Sequence, residues 1–413
     1  MQRTLRSFMR ERALPALALV AFAIPALPAR ASNDAQRYLV ISKRGHHTGM
    51  RRDAIDAGGR LVLDLPQIHT LVMTSSDAAF QEAVVRSSHL RHVLLDHVVP
   101  VAPPSPLLDD PVRFAVGSGG GAIGNLVVIP DPAFGEAGLL WNIESINAPT
   151  FWQKTLGDAA VKVGIADTGI DSTHIELSGQ VASVVDFTTT ENPMLCSSVK
   201  GLPTDDQLAT AFSAPRTTDF HGHGSAVAGI VAAALNGTGV NGIAPAVQLV
   251  SLKIAQNCGL AYDSTILSAI VYAAANQIDV VNFSFSEYLD PTNPAQKQLY
   301  GRYVAAVKYA LSQGTLIVAA AGDDHTRLGA GGKVVSHGLL ADAPGGADAF
   351  GKFEVPGGIR GVLAVAATAN VVNAPSASCP ADSLAAGSHQ WCKRRSALQF
   401  SLTLRSRTMS SWV

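Results

Sequence analysis

Two side chains in this sequence have the types and surroundings needed to move a proton to and from a nucleophile. Asp167 ends the apolar run "VKVGIAD", and His223 begins the run "HGSAVAGIVAA", which consists almost entirely of small residues. A carboxylate that leaves a strand can hold an imidazole in one tautomer, and the imidazole can then accept a proton from a nucleophile. The pattern indicates the acid and base of a nucleophilic triad. Two simpler interpretations stay open: an aspartate before Thr-Gly is also typical of a turn, and a single histidine is often only a hydrogen-bonded polar side chain.

A second chemistry is open to the same region. Asp219, His221 and His223 form the pattern Asp-x-His-x-His, and on a strand these side chains would share one face, where they could bind a metal ion. His174 is the nearest further ligand. The sequence after His223 is typical of a helix, however, so a metal-dependent hydrolase is the weaker alternative. We therefore expect no metal site here.

These residues need a scaffold, and the sequence from residue 160 onward predicts one. Apolar runs alternate with alanine-rich stretches of helical length, which is typical of an α/β domain with a mostly parallel sheet and helices on both faces. Sites in such domains form at the carboxyl ends of the strands. The runs that predict strands are "VKVGIAD", "VQLVSLKI", "IDVVNFSFS", "TLIVAAAGD" and "VLAVAATAN".

Residues 36–100 have a different pattern. Their order of strand, helix, strand, strand, helix, strand predicts a small α+β, ferredoxin-like sheet with helices on one face. Gly58-Gly59 is expected to end the first helix, and Ser75 or Ser76 to cap the second. A unit of this size buries little core alone and is often completed by a partner surface. Proline and glycine concentrated after it predict a linker over residues 101–136.

Composition indicates the compartment and excludes some partners. The chain has 413 residues and a net charge of -1, which provides no electrostatic attraction to nucleic acid or to a membrane. Four arginines precede an apolar run that ends in Ala29-Arg30-Ala31, so residues 1–31 resemble a secretory signal peptide and we expect a secreted protein, extracellular or periplasmic. In an oxidising compartment up to two disulfides can form, and three pairings stay open. The cysteines are Cys196, Cys258, Cys379 and Cys392.

Taken together, several stretches resemble the subtilisin-like serine proteases, the subtilases, in the same chain order. "VGIADTGID" is similar to the aspartate motif of that family, and "HGSAVAG" is similar to its histidine motif. "DVVNFSFS" resembles the strand that pairs with an extended substrate, and "LIVAAAGDD" resembles the strand that leads to the oxyanion hole. "WNIESINAPTFW" resembles the opening of the mature enzyme.

The resemblance implies roles for individual residues. Asp167 would be the acid and His223 the base, and Ser284, Phe285 and Ser286 would bind a protein or peptide substrate. Residues 36–100 would be an inhibitory propeptide, the protein's own intramolecular partner, and residues 137–413 the catalytic domain. No cofactor is carried over, because the loop "NGTGVNG" is shorter than the calcium-binding loop of many subtilases. Calcium elsewhere cannot be assigned from the sequence.

Two departures from the family pattern affect the expected activity. Asp323 occupies the position of the asparagine that donates a hydrogen bond to the oxyanion, and an ionised carboxylate can only accept. The serine motif, which begins Gly-Thr-Ser, does not occur after Asn370, and "RTMSSWV" with Ser410 and Ser411 is a poor substitute. We therefore expect a secreted serine endopeptidase that is C-terminally incomplete and inactive as given. The alternative is a non-catalytic subtilase-like protein or a truncated product.

Overall fold

The computed structural model describes residues 35–101, 143–188, 219–338 and 347–366, apart from residues 144, 238, 323 and 325. The predicted signal peptide and nearly all of the predicted linker lie outside the described residues. The same is true of Asp323, Ser410, Ser411 and three of the four cysteines. Cys258 is disulfide-bonded, with its partner outside the described residues.

The N-terminal unit is a four-stranded antiparallel sheet in the order β2-β3-β1-β4. The predicted succession of elements is confirmed, with one short 3-10 turn, Pro66–Ile68, added between β2 and β3. The elements are β1 (Gln36–Ser42), α1 (His47–Asp56), β2 (Arg60–Leu65), β3 (Thr70–Ser75), α2 (Phe80–Val85) and β4 (Leu90–Leu95).

Both helices of this unit cover the same face of its sheet. Met50 and Ala54 of α1 and Phe80 and Val84 of α2 form one buried cluster with side chains of β1 and β3. As predicted, glycine ends α1, because Gly58 takes the left-handed φ of 87° just after the helix.

The predicted serine cap of α2 is wrong. Ser75 is the last residue of β3, and α2 begins only at Phe80. The side chain of Asp77 stabilises the turn before α2 instead, because its Oδ1 accepts a hydrogen bond from Ala79 N at 2.8 Å. The chain therefore makes a carboxylate-stabilised turn before the helix starts.

The second unit is built on six parallel strands in the order β14-β12-β10-β6-β8-β7. The predicted α/β class and parallel sheet are confirmed, and β7 at the sheet edge is an addition. The strands are β6 (Lys162–Asp167), β7 (Val181–Asp186), β8 (Gln248–Lys253), β10 (Val280–Phe283), β12 (Leu316–Ala320) and β14 (Leu363–Val365).

Helices pack on both faces of this parallel sheet. After the short helix α3 (Ala148–Trp152), α4 (His223–Ala232) buries Ala228 and Ala232 against β6 and β8. The helices α5 (Asp263–Ala275) and α6 (Pro294–Ser312) cover the opposite face. None of the helices in the described ranges is both long and apolar enough to cross a membrane.

The two units share one hydrophobic core. Leu39 and Val72, on the face of the N-terminal sheet that its own helices leave free, join the cluster that contains Ile266 and Ile270 of α5. The N-terminal sheet is thereby enclosed by helices on both faces, as expected for a small unit that a partner surface completes.

Short antiparallel pairs complete the fold. The strand β5 (Val98–Pro100) follows the N-terminal sheet and pairs with β9 (Leu260–Tyr262), just before α5. The strands β11 (Glu287–Leu289) and β13 (Phe353–Val355) form a second pair. The N-terminal unit therefore contributes an extra strand to the larger one.

Candidate active site

Asp167 lies where the sequence places it, at the carboxyl end of a central strand. It is the last residue of β6, pairs in register with Lys253 at the end of β8, and is fully buried. Its Oδ1 accepts a hydrogen bond from the backbone N–H of Thr168 at 2.7 Å. Within the described residues its Oδ2 has no hydrogen-bond partner. The carboxylate is held from one side by the turn that follows the strand.

His223 is the first residue of α4, and the fold brings it to Asp167 across 56 residues of chain. Its Nδ1 lies 2.7 Å from Oδ1 of Asp167, and its side chain is 25% exposed. The hydrogen bond to Asp167 raises the pKa of His223, although burial opposes this effect. The pair has the geometry of a base whose orientation a buried acid fixes, with the other ring nitrogen left for a nucleophile.

The turn before α4 is organised by Asp219, which the sequence offered only as a metal ligand. Its Oδ1 accepts from Thr168 Oγ1 at 2.8 Å and from Gly222 N at 2.9 Å. Its Oδ2 accepts from the backbone N–H and the hydroxyl of Ser225, at 2.8 and 2.7 Å. Thr168 also accepts from Gly224 N, at 2.9 Å. This network ties the turn after β6 to the start of α4.

A close approach of two backbones sets the distance between acid and base. A Cβ at Gly224 would clash with the carbonyl oxygen of Gly169 and contact Cβ of Asp167 at 3.1 Å. Gly224 therefore allows α4 to approach the turn after β6 closely. Gly229 makes no such approach, since a Cβ there would meet nothing within 4 Å. Gly229 borders a cavity of about 610 Å³.

Lys253 supports the same turn and was not singled out from the sequence. Its ammonium is fully buried and donates to the carbonyl of Thr168 at 2.7 Å and to Oδ1 of Asn257 at 2.9 Å. The sequence does show a lysine near the end of the apolar run "VQLVSLKI", which is unusual for a buried strand. That Lys253 lies beside Asp167 becomes clear only from the register of β6 and β8.

The predicted substrate-binding residues lie between β10 and β11. Ser284 and Ser286 are half-buried, and the hydroxyl of Ser284 accepts from Asn282 Nδ2 at 2.7 Å. Phe285 is 5% exposed and packs edge to face against Phe283 with ring centroids 5.9 Å apart. The Phe285 side chain is thus part of the core, so any contact with a peptide falls to the backbone and to the neighbouring side chains.

The arrangement needed for the predicted metal alternative is absent. His223 begins a helix and Asp219 uses both oxygens as hydrogen-bond acceptors, so these two side chains and His221 do not share the face of a strand. His174 lines the cavity beside α4, where its Nδ1 accepts from Glu176 N at 3.2 Å. In the part of the chain that the structure describes, metal-compatible ligand atoms come together elsewhere, at His97, Asp263 and Glu287.

The fold and the site define a class: an α/β protein with a buried carboxylate hydrogen-bonded to a partly exposed imidazole at the carboxyl end of its parallel sheet. Comparison with known families gives the narrower assignment. Residues 158–406, more than half of the chain, match the model of the subtilase family. The chain belongs to this family, as the sequence motifs indicated.

Individual relatives cover parts of the chain. Subtilisin DY of Bacillus licheniformis is 36% identical over 165 residues, which are 40% of this chain and 48% of that protein. The minor extracellular protease Epr of Bacillus subtilis (strain 168) is 31% identical over 188 residues, 45% of this chain and 23% of that protein. The chain thus spans about half or less of the length of these relatives.

Solved structures agree with the fold. The epidermin leader peptide processing serine protease of Staphylococcus aureus superposes with a TM-score of 0.51 at 16% identity, covering 80% of this chain and 69% of that one. At this identity the likeness concerns the fold alone, and it supports the subtilisin-like α/β architecture.

Proposed function

We propose that this protein is built as a secreted serine endopeptidase that attacks peptide carbonyls, with Asp167 orienting and His223 acting as general base and acid. The single observation that carries the proposal is the 2.7 Å hydrogen bond between a fully buried strand-end carboxylate and an imidazole that stays partly exposed. Family membership supplies the reaction class, and the predicted signal peptide supports secretion.

In this mechanism His223 takes the proton of a nucleophilic hydroxyl through Nε2 and later delivers it to the leaving amine. Asp167 fixes the orientation of the ring and stabilises the imidazolium, which agrees with the raised pKa of His223. Asp323 would assist the oxyanion only as a protonated acid, because an ionised carboxylate has no hydrogen to donate.

The nucleophile is the missing part. The 413 residues contain no Gly-Thr-Ser sequence, so we propose that this chain as given does not hydrolyse peptides. A non-catalytic subtilase-like protein is the second candidate, and the same missing motif favours it. The coding DNA downstream distinguishes the two: a Gly-Thr-Ser motif in any frame supports a damaged protease gene.

We further propose that residues 36–100 act as an intramolecular inhibitor. Two features support this role: the shared core and the β5–β9 pairing. The hydrogen bond from Val101 N to Gly259 O at 2.8 Å extends this pairing by one residue. A peptide substrate would add a strand to β9 in the same manner, through main-chain hydrogen bonds. The N-terminal unit and a peptide substrate would therefore compete for the same edge of β9.

A fluorophosphonate probe for active serines tests the proposal on the purified full chain. We expect no labelling, because the sequence contains no Gly-Thr-Ser motif to supply the nucleophile. Labelling that disappears in His223→Ala would identify a competent serine and overturn the proposed inactivity. Labelling that persists in His223→Ala would contradict the role of His223 as the base.

A further inference from the structure

A second cluster of titratable side chains lies where the N-terminal unit meets the parallel-sheet unit. Nδ1 of His97 is 3.1 Å from Oε1 of Glu287 and 3.8 Å from Oδ2 of Asp263. One ligand atom from each of the three lies within 4.8 Å of the others. His97 belongs to the segment between β4 and β5, whereas the two acids belong to the larger unit. The cluster therefore bridges the two units.

The chain on both sides of the junction is fixed by hydrogen bonds. The backbone N–H of Asp263 donates to the carbonyl of His97 at 3.0 Å, and Ser264 N donates to Oδ1 of Asp96 at 3.0 Å. The hydroxyl of Tyr303 donates to Oδ1 of Asp263. Supporting contacts of this kind orient ligands in metal sites. The backbones of His97 and Asp263 are thus bonded to each other, and Tyr303, outside the cluster, holds the carboxylate of Asp263.

The two carboxylates are short of positive charge. The side chain of Asp263 is fully buried and that of Glu287 is 9% exposed. In the described part of the chain, Oδ2 of Asp263 and Oε2 of Glu287 have no hydrogen-bond partner. Arg37, on neighbouring β1, is engaged by Asp96 at 2.7 Å and by Ser264. His97 carries one positive charge at most, so the cluster keeps a net negative charge when both acids are ionised.

The pKa values of Asp263 and Glu287 agree with this lack of positive charge around the two carboxylates. Burial, followed by repulsion from Glu287, raises the pKa of Asp263 well above its usual value. Burial also raises the pKa of Glu287 to about 7. Buried carboxylates in this condition take up either a proton or a cation.

We propose that His97, Asp263 and Glu287 bind a divalent first-row metal ion, best matched by Zn²⁺, which ties the N-terminal unit to the larger one. One imidazole nitrogen and two carboxylate oxygens suit this ion, and water would complete the shell. Three ligand atoms on a tetrahedral zinc ion lie about 3.4 Å apart. The observed separations of 3.1 and 3.8 Å lie on both sides of that value. The side chain of His97 is 55% exposed, which leaves a path for the ion.

Titration of the metal-stripped full chain with ZnCl₂ by calorimetry tests the proposal. We expect saturable binding of one ion per chain and a higher melting temperature in its presence, because the ion binds only when the two units are docked. His97→Ala and the isosteric Glu287→Gln should each weaken binding by at least about tenfold, equivalent to about 1.4 kcal/mol. The visible spectrum of bound Co²⁺ provides a second readout on folded protein.

The matched control is His337→Ala, whose imidazole is 80% exposed and paired with Asp348. It should bind zinc like the unaltered chain. Absence of one-to-one binding in the unaltered chain would overturn the proposal in favour of a shared proton between the two acids. Zinc affinities of His97→Ala and Glu287→Gln equal to that of the unaltered chain would also overturn it. Neither result depends on peptide hydrolysis.

Discussion

Glu354 is a buried carboxylate that no described cation neutralises by an ion pair. It lies in β13, opposite Tyr288 of β11, and is fully buried. Burial raises its pKa to about 8, although the backbone N–H groups of Gly358 and Gly357 partly oppose the shift. Neither carboxylate oxygen makes a hydrogen bond of good geometry to a described group. The folded protein therefore holds a proton on Glu354 near neutral pH.

This proton makes stability depend on pH with a definite sign. In the unfolded chain Glu354 ionises near its ordinary pKa of 4.5, whereas in the folded chain it ionises near 8. Its contribution is complete below the lower value and is lost as pH rises through the higher one, at up to about 1.4 kcal/mol per pH unit. We expect Glu354→Gln to flatten this fall between pH 5 and 8 in urea unfolding. Glu82→Gln, at an exposed position, is the control, and an unchanged slope in Glu354→Gln would contradict the assignment.

Asp167 and His223 could be predicted from the sequence because each lies at the end of a run whose type is clear. Asp219 could not be assigned correctly, because its partners come from both sides of the site. Thr168 is 51 residues away and Ser225 is six, and only the folded turn brings both hydroxyls to one carboxylate. The sequence therefore identifies Asp167 and His223 better than the residues that hold them in place.

At the scale of elements, the start of α4 sets the distance between acid and base. We expect Gly224→Ala to lower the free energy of unfolding by about 2–3 kcal/mol, because the new methyl group meets a carbonyl oxygen in a packed turn. Thermal or urea unfolding measures the loss. The variant should also lower the pKa of His223 by moving it away from Asp167.

Gly229→Ala, in the same helix, is a matched control. Its new methyl group enters open space, so the variant should be stabilised by up to about 1 kcal/mol through the higher helix propensity of alanine. Equal effects of the two substitutions would show that helix propensity, and not the close approach at Gly224, governs this helix.

Strands with a clear apolar run were predictable, and strands without one were not. The strands β6, β8, β10 and β12 carry apolar runs that require burial on both faces. No residue of β7 is buried, so its sequence lacks this pattern. The three-residue strands β9 and β11 become strands only through their partners β5 and β13, which are distant in the chain.

At the scale of the whole molecule, a buried ion pair within the N-terminal unit is hydrogen-bonded to the larger unit. Arg37 of β1 bonds Asp96 at 2.7 Å and Ser264 at the start of α5 at 2.8 Å, and the two charged side chains are 9% and 0% exposed. Sequence patterns identified the N-terminal unit but not this contact, because it links residues 227 positions apart.

We expect Arg37→Met to lower the free energy of unfolding by about 3–5 kcal/mol, because it leaves the carboxylate of Asp96 buried without a counter-ion. Urea unfolding of the full chain measures the loss. The double variant Arg37→Met with Asp96→Leu should recover much of it, since an apolar pair removes the unpaired charge. A double variant as unstable as the single one would show that the arginine contributes mainly by packing.

The account depends above all on the pairing of Asp167 with His223, and the pKa of His223 tests it most directly. Proton NMR of the full chain as a function of pH, with His223 assigned by His223→Gln, gives this value. The pairing predicts a pKa above the ordinary histidine value of about 6.5 in the unaltered chain and a lower pKa in Asp167→Asn. The same pKa in both proteins would contradict the pairing, and with it the proposed acid–base roles.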